Sequence, residues 1–568
     1  MGVQAPGLKP FLERIKRLLL ELTAFVKRHP VGVGLAFVFA LYAATRLPSL
    51  KSLPIFCDEA IYIRWSQQAL HGGKLLVSLT DGKPPLHPVL MTSFLALFDD
   101  PLMAARLFSV FLGALTVWGV YLVAKELEGP RLGVLSALLY VICPFALWYD
   151  RLALTESLVM PLLVFAVYCA IKAAKTSNLW FMAGTAVLIG LALLTKATAQ
   201  LLFFVVPFAY LLSPLGGGLQ SANDNTTGTE VPAQSPGKEI GTEVPAQSSV
   251  KRPLLRWLVA VVITFGVAYG IYSLLRFASD FHVIGEMAEL HNLSISQLLR
   301  DPFEVFFSNA WALLRVLFIY MTPVFFLTCL AGIVWGAVKK WRGALFLAVW
   351  FVLAGGVTCF VVTFHFTRFF LVVLPPLVIG GAYALLDLYD MARRNGKARL
   401  LRAATIVLCV LIFVPAALQD IAIIALPQHA WLPYEDREQF VTQWPAGWGT
   451  DETVEYLREE SRDEPILVVA VGAPGTQTAA VPADTLSVYL FDNKNVEIVP
   501  ITYEEGDRFP ALLAADSRPT FVVLNAFEEV PEGWPLEVID RFPKDGNRRL
   551  AMFLTHVKPA NPPGGTGP

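Results

Sequence analysis

The chain has 568 residues, of which 55% are hydrophobic and only 16% charged, and its mean hydropathy is +0.56. A soluble protein of this length carries about a quarter charged residues, so the composition excludes an ordinary soluble domain; apolar runs of about 20 residues recur and predict a polytopic α-helical membrane protein. With a net charge of −1 and no basic stripe or nucleic-acid motif, nothing points to nucleic acid as a partner.

The first 30 residues place Lys9, Arg14, Lys16, Arg17, Lys27 and Arg28 around an apolar face, which predicts a cytoplasmic amphipathic helix over 1–30 rather than a cleavable signal. A first span follows near 31–47, then an outer loop over 48–103. Within that loop, 86–98 is apolar but too short to cross a hydrocarbon core of roughly 30 Å, and reads as an interfacial or re-entrant helix. Further spans are expected at 104–127, 131–149, 155–174, 179–195, 198–213, 254–275, 311–337, 342–363, 369–389 and 402–424, about eleven in all. Residues 31–213 form an N-terminal transmembrane module and 254–424 a second one. Between them, 214–253 is rich in Ser, Thr, Pro, Gln and Gly, repeats Gly-Thr-Glu-Val-Pro-Ala-Gln-Ser, and reads as a disordered cytoplasmic linker.

Lys and Arg concentrate in alternate loops (Lys125 and Arg131; Lys172 and Lys175; Lys251, Arg252 and Arg256; Lys339, Lys340 and Arg342; Arg393 to Arg402). By the positive-inside bias this predicts a plasma-membrane protein with a cytoplasmic N-terminus and an extracytoplasmic C-terminal region. That region, 425–558, has the composition of a small α/β domain. A helix is expected at 452–460 and strands at 465–471, 486–491, 496–501, 520–524, 535–542 and 549–556, before a disordered tail over 559–568. The six cysteines show neither a disulfide framework nor zinc spacing, and His71, His87 and His365 lack ligand spacing, so no metal site is predicted.

On this topology the charges at span ends gather on the outer face. Asp58, Glu59 and Lys83 lie in the first loop, and Arg106 opens the second span. Asp150, Arg151 and Glu156 fall at a turn, Lys196 sits in a short outer turn against the positive-inside bias, and Arg368 follows the ninth span. Charges at such depth are costly and line water-filled sites. Their position at one face suits chemistry on a lipid phosphate: cations for the leaving phosphate oxygens and a carboxylate base for an acceptor hydroxyl. The rival from another class is a membrane transporter or lipid-linked sugar flippase, which favours paired repeats and charges near the midplane; no convincing repeat between the halves is found.

Several stretches carry a family resemblance: Asp58-Glu59, Gly82-Lys83-Pro84-Pro85-Leu86, Ala105-Arg106-Leu107 with Gly113, Asp150-Arg151-Leu152-Ala153-Leu154-Thr155-Glu156, Leu194-Thr195-Lys196, and Thr367-Arg368-Phe369-Phe370 with Pro375-Pro376. In order and placement the chain resembles the GT-C membrane glycosyltransferases, specifically the bacterial relatives of protein O-mannosyltransferases and aminoarabinose transferases. Gln443-Trp444-Pro445-Ala446-Gly447-Trp448-Gly449 is similar to the lead-in to the outer domain of some bacterial members. The resemblance implies a GT-C fold and inverting transfer of a mannose-like hexose from a polyprenyl-phosphate sugar to a lipid, glycan or protein acceptor at the outer face. It implies Asp58 as general base, with Glu59 and Glu156 shaping the acceptor or sugar site, and Lys83 on the donor phosphate. Arg106 holds an acid or phosphate, and Lys196 and Arg368 join the phosphate set by topology. Many relatives carry Asp where this chain has Glu156. No cofactor beyond the donor is implied, and whether a divalent metal assists stays open.

Overall fold

The computed structural model describes residues 13–213, 248–363, 366–394, 398–476, 478–508 and 517–557, apart from 14, 15, 18, 19, 22 and 23. Of the expected disordered linker over 214–253, residues 248–253 instead open the helix Ser248–Ser273; 214–247, the tail over 559–568, His365 and most of the N-terminal amphipathic helix lie outside the described residues.

The transmembrane part is built from α1 (Pro30–Arg46), α2 (Cys57–Gly72), α3 (Leu86–Leu95), α4 (Pro101–Glu128), α5 (Pro130–Val141), α6 (Pro144–Asp150), α7 (Glu156–Thr176) and α8 (Leu179–Leu193), followed by a mixed 3₁₀ and α run over 197–212. After the undescribed stretch come α9 (Ser248–Ser273), α10 (Phe281–His291), α11 (Ile295–Arg300), α12 (Phe306–Tyr320), α13 (Pro323–Val338) and α14 (Arg342–Val361). A 3₁₀ turn over Thr367–Val373 then runs into α15 (Leu374–Arg394), and α16 (Ala398–Ala425) ends the series. Among the described residues, six helices are long and apolar enough to cross a membrane, or up to eight if each of two bent pairs counts as one span. The protein is thus a multi-pass membrane protein.

Helix boundaries follow local chemistry. The Asp100 carboxylate accepts from the Met103 amide at 2.8 Å and Pro101 takes the first helical position, so α4 starts there; Gly129, at a positive φ of 93°, ends it. At 1.5 Å per residue the ten residues of α3 reach about 15 Å, too short to cross. The predicted single span over 311–337 is instead two helices, α12 and α13, bent by 114°. Pro323 has no N–H to continue the ladder, and Thr322 stands at a φ of +61°. Helices α13 and α15 cross with their backbones nearly touching: a Cβ on Gly332 would lie 1.9 Å from the Gly380 carbonyl oxygen.

The C-terminal domain carries α17 (Thr450–Glu460), β1 (Ile466–Val471), α18 (Ala480–Tyr489), β2 (Val496–Ile501), β3 (Thr520–Phe527), β4 (Leu536–Lys544) and β5 (Asn547–Val557). The sheet order is β2-β1-β3-β5-β4. β2, β1 and β3 are parallel, with Ile466 opposite Val496, while β5 runs antiparallel to β3 and β4. The strand expected at 486–491 is the end of α18 and the turn after it. A short apolar run does not distinguish strand from buried helix, and parallel β1 and β2 require a crossover, which α18 supplies. The same helix docks the domain on α2: Arg64 pairs with Asp484, the Gln67 amide donates to the Val488 carbonyl at 2.9 Å, and His71 meets Phe491 at 5.3 Å.

The loop between α1 and α2 is folded around one buried pair. Arg106 donates from Nε and Nη2 to the Glu59 carboxylate at 2.9 and 2.6 Å, and to the carbonyls of Leu50, Leu53 and Pro54 at 2.6, 2.9 and 3.0 Å. Glu59 also accepts from the amides of Phe56 and Ala153, at 3.1 and 2.8 Å. For Glu59 this corrects the expectation of a place in the acceptor or sugar site, and for Arg106 it decides between the two alternatives. All five N–H groups of the Arg106 guanidinium are committed, leaving none for a phosphate, and both Glu59 oxygens are occupied and wholly buried. Of the alternatives, acid or phosphate, Arg106 holds the acid. Asp150 and Arg151 likewise serve the end of α1. Asp150 pairs with Arg46 at 3.3 Å, and Arg151 donates to the carbonyls of Pro48 and Ser49 at 2.7 and 2.8 Å. Removing one member of the Glu59–Arg106 pair strands a buried charge, so Arg106→Ala is expected to cost about 3–5 kcal/mol. Thermal unfolding in detergent measures it, and a melting temperature equal to the parent's would refute this account of the loop.

Candidate active site

Four side chains from four separate segments form an alternating line of charge. Asp58 stands in the first turn of α2, and its Oδ2 accepts from Arg368 Nη2 at 2.8 Å. Arg368, at the start of the Thr367–Val373 turn, points its Nε toward Glu156 Oε1 at 3.5 Å. Glu156, the first residue of α7, in turn accepts from Lys196, which also lies 4.7 Å from the centroid of the Phe369 ring. Each residue is where a helix begins or a turn interrupts an apolar run, because there the chain can carry a charge without burying it in lipid. Arg368 and Glu156 are nearly closed off, with side chains 7% and 8% exposed, whereas Asp58 and Lys196 are about one-fifth exposed.

Lys83 stands at the edge of this line. It pairs with Asp81 at 3.2 Å and lies 5.5 and 5.7 Å from the ring centroids of Tyr62 and Trp65. Its side chain is the most open of the expected cations in the group, 37% exposed. Burial works to raise the Asp58 pKa, but the charges of Arg368, Lys83 and Lys196 overcome it and hold the carboxyl below its ordinary value. Asp58 is therefore a carboxylate at neutral pH. Of the expected site residues, Asp58, Glu156, Lys196 and Arg368 are brought into contact and Lys83 into electrostatic range; Glu59 and Arg106 are joined to each other in the loop behind.

The Glu156–Arg368 end of the line borders a shallow, half-open cleft. Glu156 and Arg368 form its polar end, and Val159, Met160, Phe369, Leu371 and Val372 line it. A polar end with two charges joined to an apolar slot fits an amphipathic ligand with an anionic head. Among the described residues no group of three or more His, Cys, Asp and Glu is placed to hold a metal ion.

Sequence reasoning missed the segment that follows α16. Gln439 Oε1 accepts from Arg368 Nη1 at 3.4 Å, on the side away from Asp58. Phe440 packs against Phe56 at 4.4 Å and against Trp148 at 5.6 Å. Asp436, buried, accepts from Tyr149 at 2.7 Å and from Tyr320; burial pushes its carboxyl up to about 6 against those hydrogen bonds. The only signal in the sequence is the neighbouring Trp444-Pro445-Ala446-Gly447 motif, eight residues and more downstream of Asp436.

A family model described as dolichyl-phosphate-mannose-protein mannosyltransferase matches residues 82–220. Comparison with curated protein sequences gives no match. Among solved structures, the chain is similar to ArnT from Cupriavidus metallidurans in the apo state, at 13% identity and a TM-score of 0.51, over 93% of this chain and 98% of that one. The same protein bound to undecaprenyl phosphate gives 15% identity and a TM-score of 0.50 over 92% and 97%. The archaeal oligosaccharyltransferase AglB from Archaeoglobus fulgidus, in complex with an inhibitory peptide and a dolichol-phosphate, is 12% identical with a TM-score of 0.51, over 88% of this chain and 70% of that one. These likenesses are likenesses of fold. The chain therefore shares the fold of ArnT and AglB, and its residues 82–220 resemble the mannosyltransferase family.

Proposed function

We propose that the protein transfers a hexose, mannose-like, from a polyprenyl-phosphate sugar to an acceptor hydroxyl at the extracytoplasmic face of the plasma membrane, with inversion. The observation that carries this reading is the Asp58–Arg368–Glu156–Lys196 line at the head of an apolar cleft. A polyprenyl phosphate has the matching chemistry: an isoprenoid chain for the apolar wall and phosphate oxygens for the cations. The matched family model and the lipid phosphates bound by ArnT and AglB support the same donor class.

In the proposed reaction Asp58 takes the proton of the acceptor hydroxyl as its oxygen attacks the anomeric carbon from the face opposite the phosphate. The bond from that carbon to the phosphate oxygen breaks, and the lipid phosphate leaves with the electron pair. One base suffices for such a displacement, and the product is inverted. Lys196, Arg368 and Lys83 stabilise the departing phosphate. Arg368 now shared between Asp58 and Glu156 turns to the donor phosphate, which frees the Asp58 oxygen for the acceptor proton. Glu156, tied to Lys196 and Arg368, keeps both cations aimed at the cleft.

Asp58→Asn is expected to lower transfer about 10²–10⁴-fold while leaving donor binding nearly unchanged; measured with purified protein and a panel of polyprenyl-phosphate sugars, near-normal turnover would remove Asp58 as base. Movement of lipid-linked sugar across vesicles without any transfer would favour the flippase reading instead. The pH profile gives a separate check. Asp58 is held below its ordinary value by Arg368, so in Arg368→Ala burial acts with less opposition and the carboxyl rises. The acidic limb of kcat/KM is expected to move to higher pH in that variant. For orientation, Glu532→Cys, exposed in the C-terminal domain, is expected to react with a membrane-impermeant maleimide added outside intact cells; labelling only after lysis would reverse the topology.

A further inference from the structure

The C-terminal domain buries a lysine that the proposed reaction does not use. Lys544, the last residue of β4, is wholly inaccessible, and its ammonium has no carboxylate within 4 Å among the described residues. It donates to the Ala446 carbonyl and to the Asn525 side-chain oxygen, the latter at 2.8 Å. The Asn525 amide in turn donates to the carbonyls of Trp444 and Val481, each at 3.0 Å. Lysine and asparagine thus close on the backbone of residues 444–446 from inside the domain. Burial without a counter-charge pushes the ammonium down to about 7, so its place is held by these bonds alone.

The far side of the clasped backbone is paired with the loop that carries Asp58. The Cys57 amide donates to the Pro445 carbonyl at 2.9 Å, and the Gly447 amide donates to the Ile55 carbonyl at 3.0 Å. Between them Phe56 and Ala446 form an antiparallel bridge. There is no room at this crossing for more than backbone, since a Cβ on Gly447 would lie 2.4 Å from the Ile55 carbonyl oxygen. The next residue after Cys57 is Asp58, so the first turn of α2 starts from a strand that the domain holds.

We propose that Lys544 is a positioning residue for Asp58, acting through Ala446 and the bridge to Phe56. The proposal rests on the reading of Asp58 as base for its kinetic consequence, but its structural core stands apart from any activity. A surface lysine would not do this work, because only a buried donor with no competing carboxylate or water is obliged to stay on the Ala446 carbonyl.

The test is amide hydrogen exchange on the full-length protein in detergent, comparing the parent with Lys544→Met, which keeps an apolar stem as far as Cε but has no donor. The peptide covering residues 55–58 and the one covering 446–448 are expected to exchange about tenfold faster, while the amides of β1 (Ile466–Val471) stay protected and report a folded domain. Lys544→Gln, with a shorter donor, is expected to fall between the two. Unchanged exchange at 55–58 with β1 protected would overturn the proposal, and so would release of β1 together with the loop, which would assign Lys544 to the stability of the domain. If Lys544→Met does not fold, Lys544→Gln carries the test by itself: exchange at 55–58 faster than the parent supports the proposal and equality overturns it. In transfer assays kcat is expected to fall about tenfold with the KM for polyprenyl-phosphate sugar unchanged. Absence of any transfer in the parent would defeat the proposed reaction and leave the exchange result standing.

Discussion

The candidate site depends on one guanidinium shared between two carboxylates. Arg368 lies between Asp58 and Glu156, and Glu156 lies between Arg368 and Lys196. None of these charges would be stable alone at such burial, whereas in alternation each meets its opposite within hydrogen-bond or ion-pair distance. The line joins the first loop, the start of α7, the turn after α8 and the turn before α15. Buried ion pairs contribute little to stability compared with apolar residues of the same volume, so such a line is better understood from what it can bind than from what it holds together.

The adjacent acids of the first loop show how helix geometry separates two tasks. Neighbours on a helix point about 100° apart and do not share a face. Asp58 therefore meets Arg368, while Glu59 turns inward to Arg106 and the amides of Phe56 and Ala153. The second pair folds the loop, and the loop presents the first acid. Gly113 belongs to the same construction: a Cβ there would lie 2.2 Å from the Tyr42 hydroxyl and 2.8 Å from the Asp150 carboxylate, so only glycine lets α4 pass the pair that ends α1.

What could be read from the chain beforehand was set by the cost of burying charge. In an apolar stretch a charged side chain stands out, and that signal marks Glu156, Lys196 and Arg368, which the fold brings together; the same signal does not tell Arg106, which binds an acid, from a cation left for a ligand. After residue 425 charge is cheap and the signal fails, which is why Asp436, Gln439 and Lys544 were passed over although they are buried or in contact with the site. Helix existence was legible from runs of apolar residues, but a bend was not: Thr322-Pro323 interrupts the pattern of 311–337 without a change of hydropathy. The expected strand at 486–491 failed for the opposite reason, since only the parallel pairing of β1 and β2, a long-range fact, demands a helix there.

On the proposed reading, a lipid phosphate reaching this line would alter Asp58 itself. The formal charges of Asp58, Glu156, Lys196 and Arg368 sum to zero, so each cation of the line already meets a carboxylate. A phosphate arriving at the polar end brings negative charge that the pairs do not balance, and Arg368 is the cation with two carboxylates to choose between. Its turn toward the phosphate removes the strongest attraction on Asp58, and burial then acts to raise that carboxyl. Lys83, more open and paired with Asp81 across 3.2 Å, is the cation best able to follow the incoming charge. On the proposed reading, donor binding and base strength are therefore one event: the carboxylate becomes a better proton acceptor only when there is a sugar phosphate to be displaced.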